Sequence, residues 1–308
     1  MNTLKRLLVG LDLTPMDETL INYTAFLCAE LQLEKVCFIH VEKSLEIPEE
    51  LRQNLQRKNV SPEEGLRNMI ASKVGPVFEQ MPQVKTEILV EEGTPVKEML
   101  HWSKIKDIDL MLVGRKLRLR GSGVLAQKLL RSGRLSVLYV PETYDQPKLN
   151  RIVVSIDFSK YSEMALDRVL HSALSKPEVQ VVCLHVYDVP SGYITLGISY
   201  EEFDKRMQGF AQEKFSKLME RFPDLQNRAK LVLVRQEEQD DIGELVALEA
   251  KRAHADILVI GAKGMSAAAL FVIGSVTEKV LRYDMDIPLL VFKNKDEEIG
   301  FLDALINK

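Results

Sequence analysis

No run of apolar residues in this 308-residue chain is long enough to span a bilayer, which argues against a membrane-spanning helix. Cysteine is scarce. Cys28, Cys37 and Cys183 stand far apart or outside any C-x-x-C spacing, and three is an odd number, so no disulfide framework is expected. Reduced thiols in a cytoplasmic protein are the reading that remains. Excess charge is lacking too. The net charge is −4, which removes a general polyanion-binding surface and disfavours nucleic acid. The apolar stretch at the N-terminus is broken by Asp12 and is followed by no small-residue cleavage site, so it reads as a strand rather than a signal peptide. What remains is the composition of an ordinary globular protein, 46% hydrophobic and 28% charged, with a length that suits two domains.

The chain repeats itself. Arg6–Asp12 reappears as Arg151–Asp157, an offset of 145, and the Cys-x-x-His-Val stretch ending at Val41 matches the Cys-x-His-Val stretch ending at Val186 with the same offset. Asp109–Gly114 reappears as Asp256–Gly261 at offset 147, and Gln127–Arg131 as Glu278–Arg282 at offset 151. The last change in offset places a four-residue shortening between Gly114 and Gln127 of the first copy. Ordered matches of this kind mean duplication. The expected boundaries are residues 1–143, residues 149–294 and a C-terminal tail at 295–308, with Pro141–Lys148 as a linker.

Each copy alternates short Leu/Val/Ile runs with longer amphipathic stretches. Strands are expected at 4–11, 35–41, 84–90, 109–114 and 136–140, then at 151–156, 180–186, 230–234, 256–260 and 288–292. Continuous apolar runs suit strands buried on both faces of a parallel sheet. Thr14-Pro15, Ser61-Pro62 and Thr94-Pro95 each place a hydroxyl before a proline, as at a helix start, and Ser159 is expected to cap the first helix of the second copy. Tyr200–Arg221 carries a helical period. The fold class is therefore α/β, two tandem doubly wound domains, each a five-stranded parallel sheet flanked by helices. Ligands in such sheets sit beyond the carboxyl ends of the strands, where the strand order reverses.

One motif carries chemistry at that place. After the fourth strand of the second copy, Gly261, Gly264, Gly274 and Ser275 follow a G-x2-G-x9-G-S spacing. Glycines permit sharp turns and close approach to an anion, and a helix expected at 275–283 would offer free amides and its positive dipole end. Ser275 and Thr277 would add hydroxyl donors, with Val276 between them, and Lys263 could lie over outer phosphates. The spacing is neither a Walker A loop nor a dinucleotide fingerprint. Alone it defines an anion-binding loop.

With these features the sequence resembles the universal stress protein family in its tandem two-domain form, and by that likeness an adenine nucleotide alpha hydrolase-like fold. The resemblance rests on the aspartate after strand one, the His-Val at the end of strand two, Gly93-Thr-Pro95, the strand-four pattern and the glycine loop. In ATP-binding members the aspartate contacts adenosine, a strand-two valine contacts adenine through its backbone, and the glycine loop holds ribose and phosphates. The resemblance thus implies Asp157 with the neighbouring Ile156, Val186, Gly261, Lys263, Gly264 and Gly274 to Thr277 as cofactor-binding residues. ATP is the implied ligand, with AMP or ADP as alternatives and Mg2+ accompanying ATP. The implied function is that of an ATP-binding stress-response regulator working through protein partners.

The first copy departs from the pattern. It lacks the second glycine, and Val124 stands opposite Ser275, so weak or no ATP binding is expected there. Arg115, Lys116, Arg118 and Arg120 read as a solvated basic loop. The segments 43–82 and 187–222 read equally as lids or as plain crossovers. His40 and His185 read as core histidines bonded to backbone, since no other His or Cys lies at ligand spacing. Cys37 and Cys183 read as inert buried thiols. Asp157 has a plainer reading as a turn cap. No catalytic residue and no metal ligand is assigned. No general base, arginine finger or acidic pair compels catalysis, which leaves at most slow ATP hydrolysis. The competing function is a structural or interaction module of the same fold that binds no nucleotide. The last strand of each copy, at a sheet edge, invites pairing of the two domains within the chain or in a homodimer.

Overall fold

A computed structural model describes residues 4–46, 61–116, 125, 128–131, 135–144, 147–173, 178–262, 274–281, 283 and 286–293. The chain forms two compact units, Met1–Leu129 with Val137–Pro147, and Leu130–Ser136 with Lys148–Lys308. The first holds β1 (Arg6–Leu11), α1 (Met16–Glu30), β2 (Lys35–Glu42), α2 (Pro62–Phe78), β3 (Lys85–Glu92), α3 (Pro95–Ile105), β4 (Leu110–Arg115) and β5 (Ser136–Pro141). The second holds β6 (Arg151–Ser155), α4 (Lys160–Ala173), β7 (Gln180–Tyr187), α5 (Tyr193–Leu196), α6 (Tyr200–Arg221), β8 (Ala229–Arg235), α7 (Ile242–Arg252), β9 (Ile257–Gly261), α8 (Ser275–Val280) and β10 (Leu289–Phe292).

The strand order within the first unit is β3-β2-β1-β4-β5, and within the second β8-β7-β6-β9-β10. The order is the same once the offset is allowed for. β1 pairs in parallel with β2 and β4, and β6 with β7 and β9. The order reverses between β1 and β4, and again between β6 and β9, and these are the switch points. The central strands explain why their sequences carry no alternation. Leu7, Leu8 and Val9 are fully buried, as are Val153 and Val154, because helices cover both faces of the sheet. Burying each such side chain contributes about 1.5–3 kcal/mol. The outer strands β3 and β8 are only partly covered, and there the observed spans run one or two residues past the expected ones.

Duplication extends to rare backbone geometry. Leu13 and Phe158 have φ of 61° and 59°, and Asp107 and His254 have 48° and 51°. Each pair lies at the repeat offset, and non-glycine residues seldom adopt this conformation.

The helix starts correct the sequence reading in part. The Ser61 hydroxyl accepts from the Glu64 amide at 3.1 Å, as a capping residue should. Thr14 does not cap, because α1 starts after Pro15 and the Thr14 hydroxyl donates to Asp12 instead. Thr94 occupies the N-cap of α3, but its side chain makes no capping bond. The Ser159 hydroxyl accepts from the Ser162 amide at 3.4 Å. Pro141 is the buried last residue of β5 rather than linker, and Tyr144 packs edge-on against Tyr23. α2 packs on α1 and β3 as a crossover helix. α6 spans the residues its period marked, and Ile194, Leu196 and Phe210 around it are exposed. Among the described residues, no helix is long and apolar enough to cross a membrane. The tail at 295–308 lies outside the described residues.

Candidate functional site

In the second unit, a cavity of about 340 Å³ lies past the carboxyl ends of β6, β7 and β9, at the switch point. Eight of the ten residues singled out in the sequence line it: Ile156, Asp157, Val186, Gly261, Gly274, Ser275, Val276 and Thr277. Lys263 and Gly264 lie outside the described residues. Ser155, Ser162, Ile242, Val246 and Ile260 line it as well. Ile242 and Val246 come from the amphipathic α7. Their first-copy counterparts at the repeat offset are Pro95 and Met99, so the repeat itself was the signal that could have found them.

The loop's two ends are pinned together. The Gly274 amide donates to the Ala262 carbonyl at 2.8 Å, and the Thr277 hydroxyl donates to the Gly261 carbonyl at 2.9 Å. Thr277 is buried, so its hydroxyl proton is spent on the fold and not on an anion. That corrects its expected role as a donor. Ser275 carries no such bond among those that fix the loop. α8 ends at Val280, shorter than the expected 275–283. Gly274 occupies its N-cap with φ −61°, ordinary for any residue, and no side chain caps the first turn. Conformation therefore does not demand glycine at 274.

Asp157 Oδ1 accepts from the Ser159 amide at 3.0 Å, the turn-capping contact of its plainer reading. The Ile156 amide donates to the Leu184 carbonyl at 2.8 Å, which fixes how β7 faces β6. By the two-residue period of a strand, the backbone N–H and C=O of Val186 point to the same side, past the end of β6. His185 bonds through Nδ1 to the Ile156 carbonyl at 2.8 Å, and His40 likewise to Leu11 at 3.0 Å. Both are core histidines bonded to backbone. Burial pushes the His185 pKa down, the Ile156 carbonyl pulls it back, and the Lys214 charge pushes it further down. The ring rests 4.7 Å from Phe158, whose other neighbour is Lys214 Nζ at 5.7 Å.

The first unit has a cavity at the equivalent place, built differently. Asp12 Oδ1 accepts from the Thr14 amide at 3.2 Å and hydroxyl at 2.6 Å, and Oδ2 accepts from Lys116 Nζ. Burial raises the Asp12 pKa, and the Lys116 and Thr14 bonds more than offset it, so the carboxyl lies below its ordinary range. Lys116 is only 18% exposed. It is an ion-pair partner drawn from what read as a solvated basic loop, and the reading is wrong for this residue. Arg118, Arg120 and Val124 lie outside the described residues. Next to Asp12, the buried Asp17 accepts from the Asp12 amide at 3.0 Å, where the second copy has Ser162. Cys28, Cys37 and Cys183 are free and buried, and burial pushes the Cys28 and Cys183 thiols up to about 12 and Cys37 to about 11. Among the described residues, no group of three or more His, Cys, Asp or Glu is placed to hold a metal ion.

Two doubly wound domains, each with a cavity at its switch point, define a tandem α/β protein of the kind that takes ligands at strand ends. Comparison with known proteins sharpens this. The model of the universal stress protein family matches residues 148–293. A universal stress protein from Archaeoglobus fulgidus is 15% identical, with a TM-score of 0.64 over 95% of this chain and 97% of its own. A protein of unknown function from Pseudomonas aeruginosa is also 15% identical, with a TM-score of 0.63 over 98% of this chain and 96% of its own. At that identity the likeness concerns the fold, and it runs through both halves. No curated protein matches the sequence. The second domain belongs to the universal stress protein family, and the likeness of the first domain is one of fold.

Proposed function

We propose that the chain binds an adenine nucleotide in its second domain and acts as a stress-response regulator rather than as an enzyme. One observation carries the reading. Asp157, the outward backbone of Val186, Gly261 and the side-chain-uncapped first turn of α8 surround a single cavity at the switch point. Val186 would meet adenine through its backbone, Asp157 the ribose, and the amides of Ser275 to Thr277 with the Ser275 hydroxyl the phosphates. Among the described residues that line the cavity, Asp157 is the one ionisable side chain. That set suits holding a nucleotide and offers little for cleaving one. The residues at 263–264 would complete the phosphate end.

The competing module reading draws support from the structural uses of Thr277 and Asp157. Calorimetric titration with ATP separates the two. Asp157→Ala should weaken ATP by roughly 10- to 100-fold, the loss of a charged hydrogen bond. Gly274→Val should abolish the heat of binding, and Asp12→Ala should change it little. An Asp157→Ala protein that binds ATP as tightly as wild type would reject the assignment.

A further inference from the structure

The first domain's cavity is larger, about 440 Å³, and its charged side chains are paired with one another. Its walls are the apolar side chains of Met16, Leu20, Ile39, Met99 and Val113, and its polar groups answer one another. Lys116 and Asp12 form an ion pair, and His40 spends Nδ1 on the Leu11 carbonyl and places Nε2 3.0 Å from Glu42 Oε1. Gly114, the counterpart of Gly261, lines the cavity with Met16 packed against its Cα. A Cβ built on it would lie 2.7 Å from Met16 Cγ.

An anionic ligand would have to break the Lys116–Asp12 pair before finding a partner. An uncharged apolar ligand leaves these side-chain bonds in place and gains apolar contact. Thioether side chains such as Met16 and Met99 adapt to varied apolar shapes. Size sets the scale, since an apolar cavity of roughly 150 Å³ holds one benzene. We propose that the first domain binds a compact uncharged apolar molecule of about three rings or fewer at the ends of β1, β2 and β4. This is independent of the nucleotide reading of the second domain, and either can fail alone.

The neutral dye N-phenyl-1-naphthylamine tests it with the full chain. The dye should bind at one site per chain with enhanced, blue-shifted fluorescence, and excess ATP should not displace it. Leu20→Phe and Val113→Phe, on different elements, should each weaken it at least about tenfold by filling the cavity. In unmutated protein carrying ¹³C-methyl methionine, the dye should shift the Met16 and Met99 signals, a readout that needs no variant to fold. Absence of enhancement, indifference to both fillings, unmoved Met16 and Met99 signals, or displacement by ATP would each overturn the proposal.

Discussion

Replacing Asp256 by alanine should destabilise the second domain by about 2–4 kcal/mol, from two charge-assisted hydrogen bonds to backbone. Asp256 Oδ2 accepts from the amides of both Asn150 and Arg151 at 2.8 Å, and the Asp256 amide returns a bond to the Arg151 carbonyl at 2.9 Å. One side chain thus ties the start of β9 to the start of β6, whose register sets everything at the far end. Arg151 adds a bond from Nη1 to the Ala253 carbonyl at 2.7 Å. The first copy repeats the device. Asp109 Oδ2 accepts from the Lys5 and Arg6 amides at 3.0 and 2.9 Å. Asp109→Ala should therefore act on the first domain as Asp256→Ala does on the second. A chain of two units need not unfold in one step, so the loss is best read by hydrogen exchange strand by strand. Asp256→Ala should speed exchange across β6 and β9 and leave β1 and β4 protected. Asn in place of Asp keeps one acceptor oxygen and should cost less. A change under about 0.5 kcal/mol, the usual size for an inert surface substitution, would mean the carboxylate does not hold the strands.

Gly243→Val should cost about 1–3 kcal/mol by overpacking and remove nucleotide binding as well. α7 is capped by Asp241, whose Oδ1 accepts from the Gly243 amide at 2.8 Å and whose Oδ2 lies 3.1 Å from Lys279 Nζ. That contact brings α7 against α8 with no room between them. A Cβ on Gly243 would lie 2.5 Å from Lys279 Cβ and 2.7 Å from the Val280 amide nitrogen. These are atoms at or beside the backbone and cannot swing away, so α8 itself must shift. α8 opens with Ser275, Val276 and Thr277, three of the residues that line the cavity. A displaced α8 also breaks the Thr277–Gly261 bond that closes the loop. Gly209→Ala on α6 is the control, since nothing lies within 4 Å of its added Cβ. It should be neutral or slightly stabilising, by up to about 1 kcal/mol. Thermal melting and ATP titration of both variants check the pair, and normal ATP affinity in Gly243→Val would show that α8 does not shape the site.

The architecture was readable because it is written locally and twice. Periodicity marks Tyr200–Arg221 and the buried strands, and matched offsets fix which residues share a place. His40 and His185 could be assigned as backbone-bonded for the same reason: each ends strand two of its copy, beside the turn after strand one. The lining of the second domain's cavity was readable where the chain itself sets the position, at Asp157, Val186 and the ends of the glycine loop. What stayed hidden depends on side-chain direction or on partners far along the chain. Lys116 is one basic residue among several in sequence, and only the fold brings it 104 positions back to Asp12. Thr277 looks like any donor on a helix start until its rotamer carries the hydroxyl to Gly261. Thr14 fits a capping pattern, yet Asp12 lies two residues away and takes the hydroxyl. Gly243 carries no signal in isolation, because its reason is a second helix.

The central claim is that one domain of the pair is built for nucleotide and the other is closed to it. Counting bound nucleotide on the full chain tests this directly, by calorimetric titration of nucleotide-free protein with ATP. The account predicts one site per chain, weakened roughly 10- to 100-fold in Asp157→Ala and kept in Asp12→Ala. Two equal sites would contradict the closure of the first domain by the Lys116–Asp12 pair, and no binding of ATP, ADP or AMP would contradict the assignment of the second.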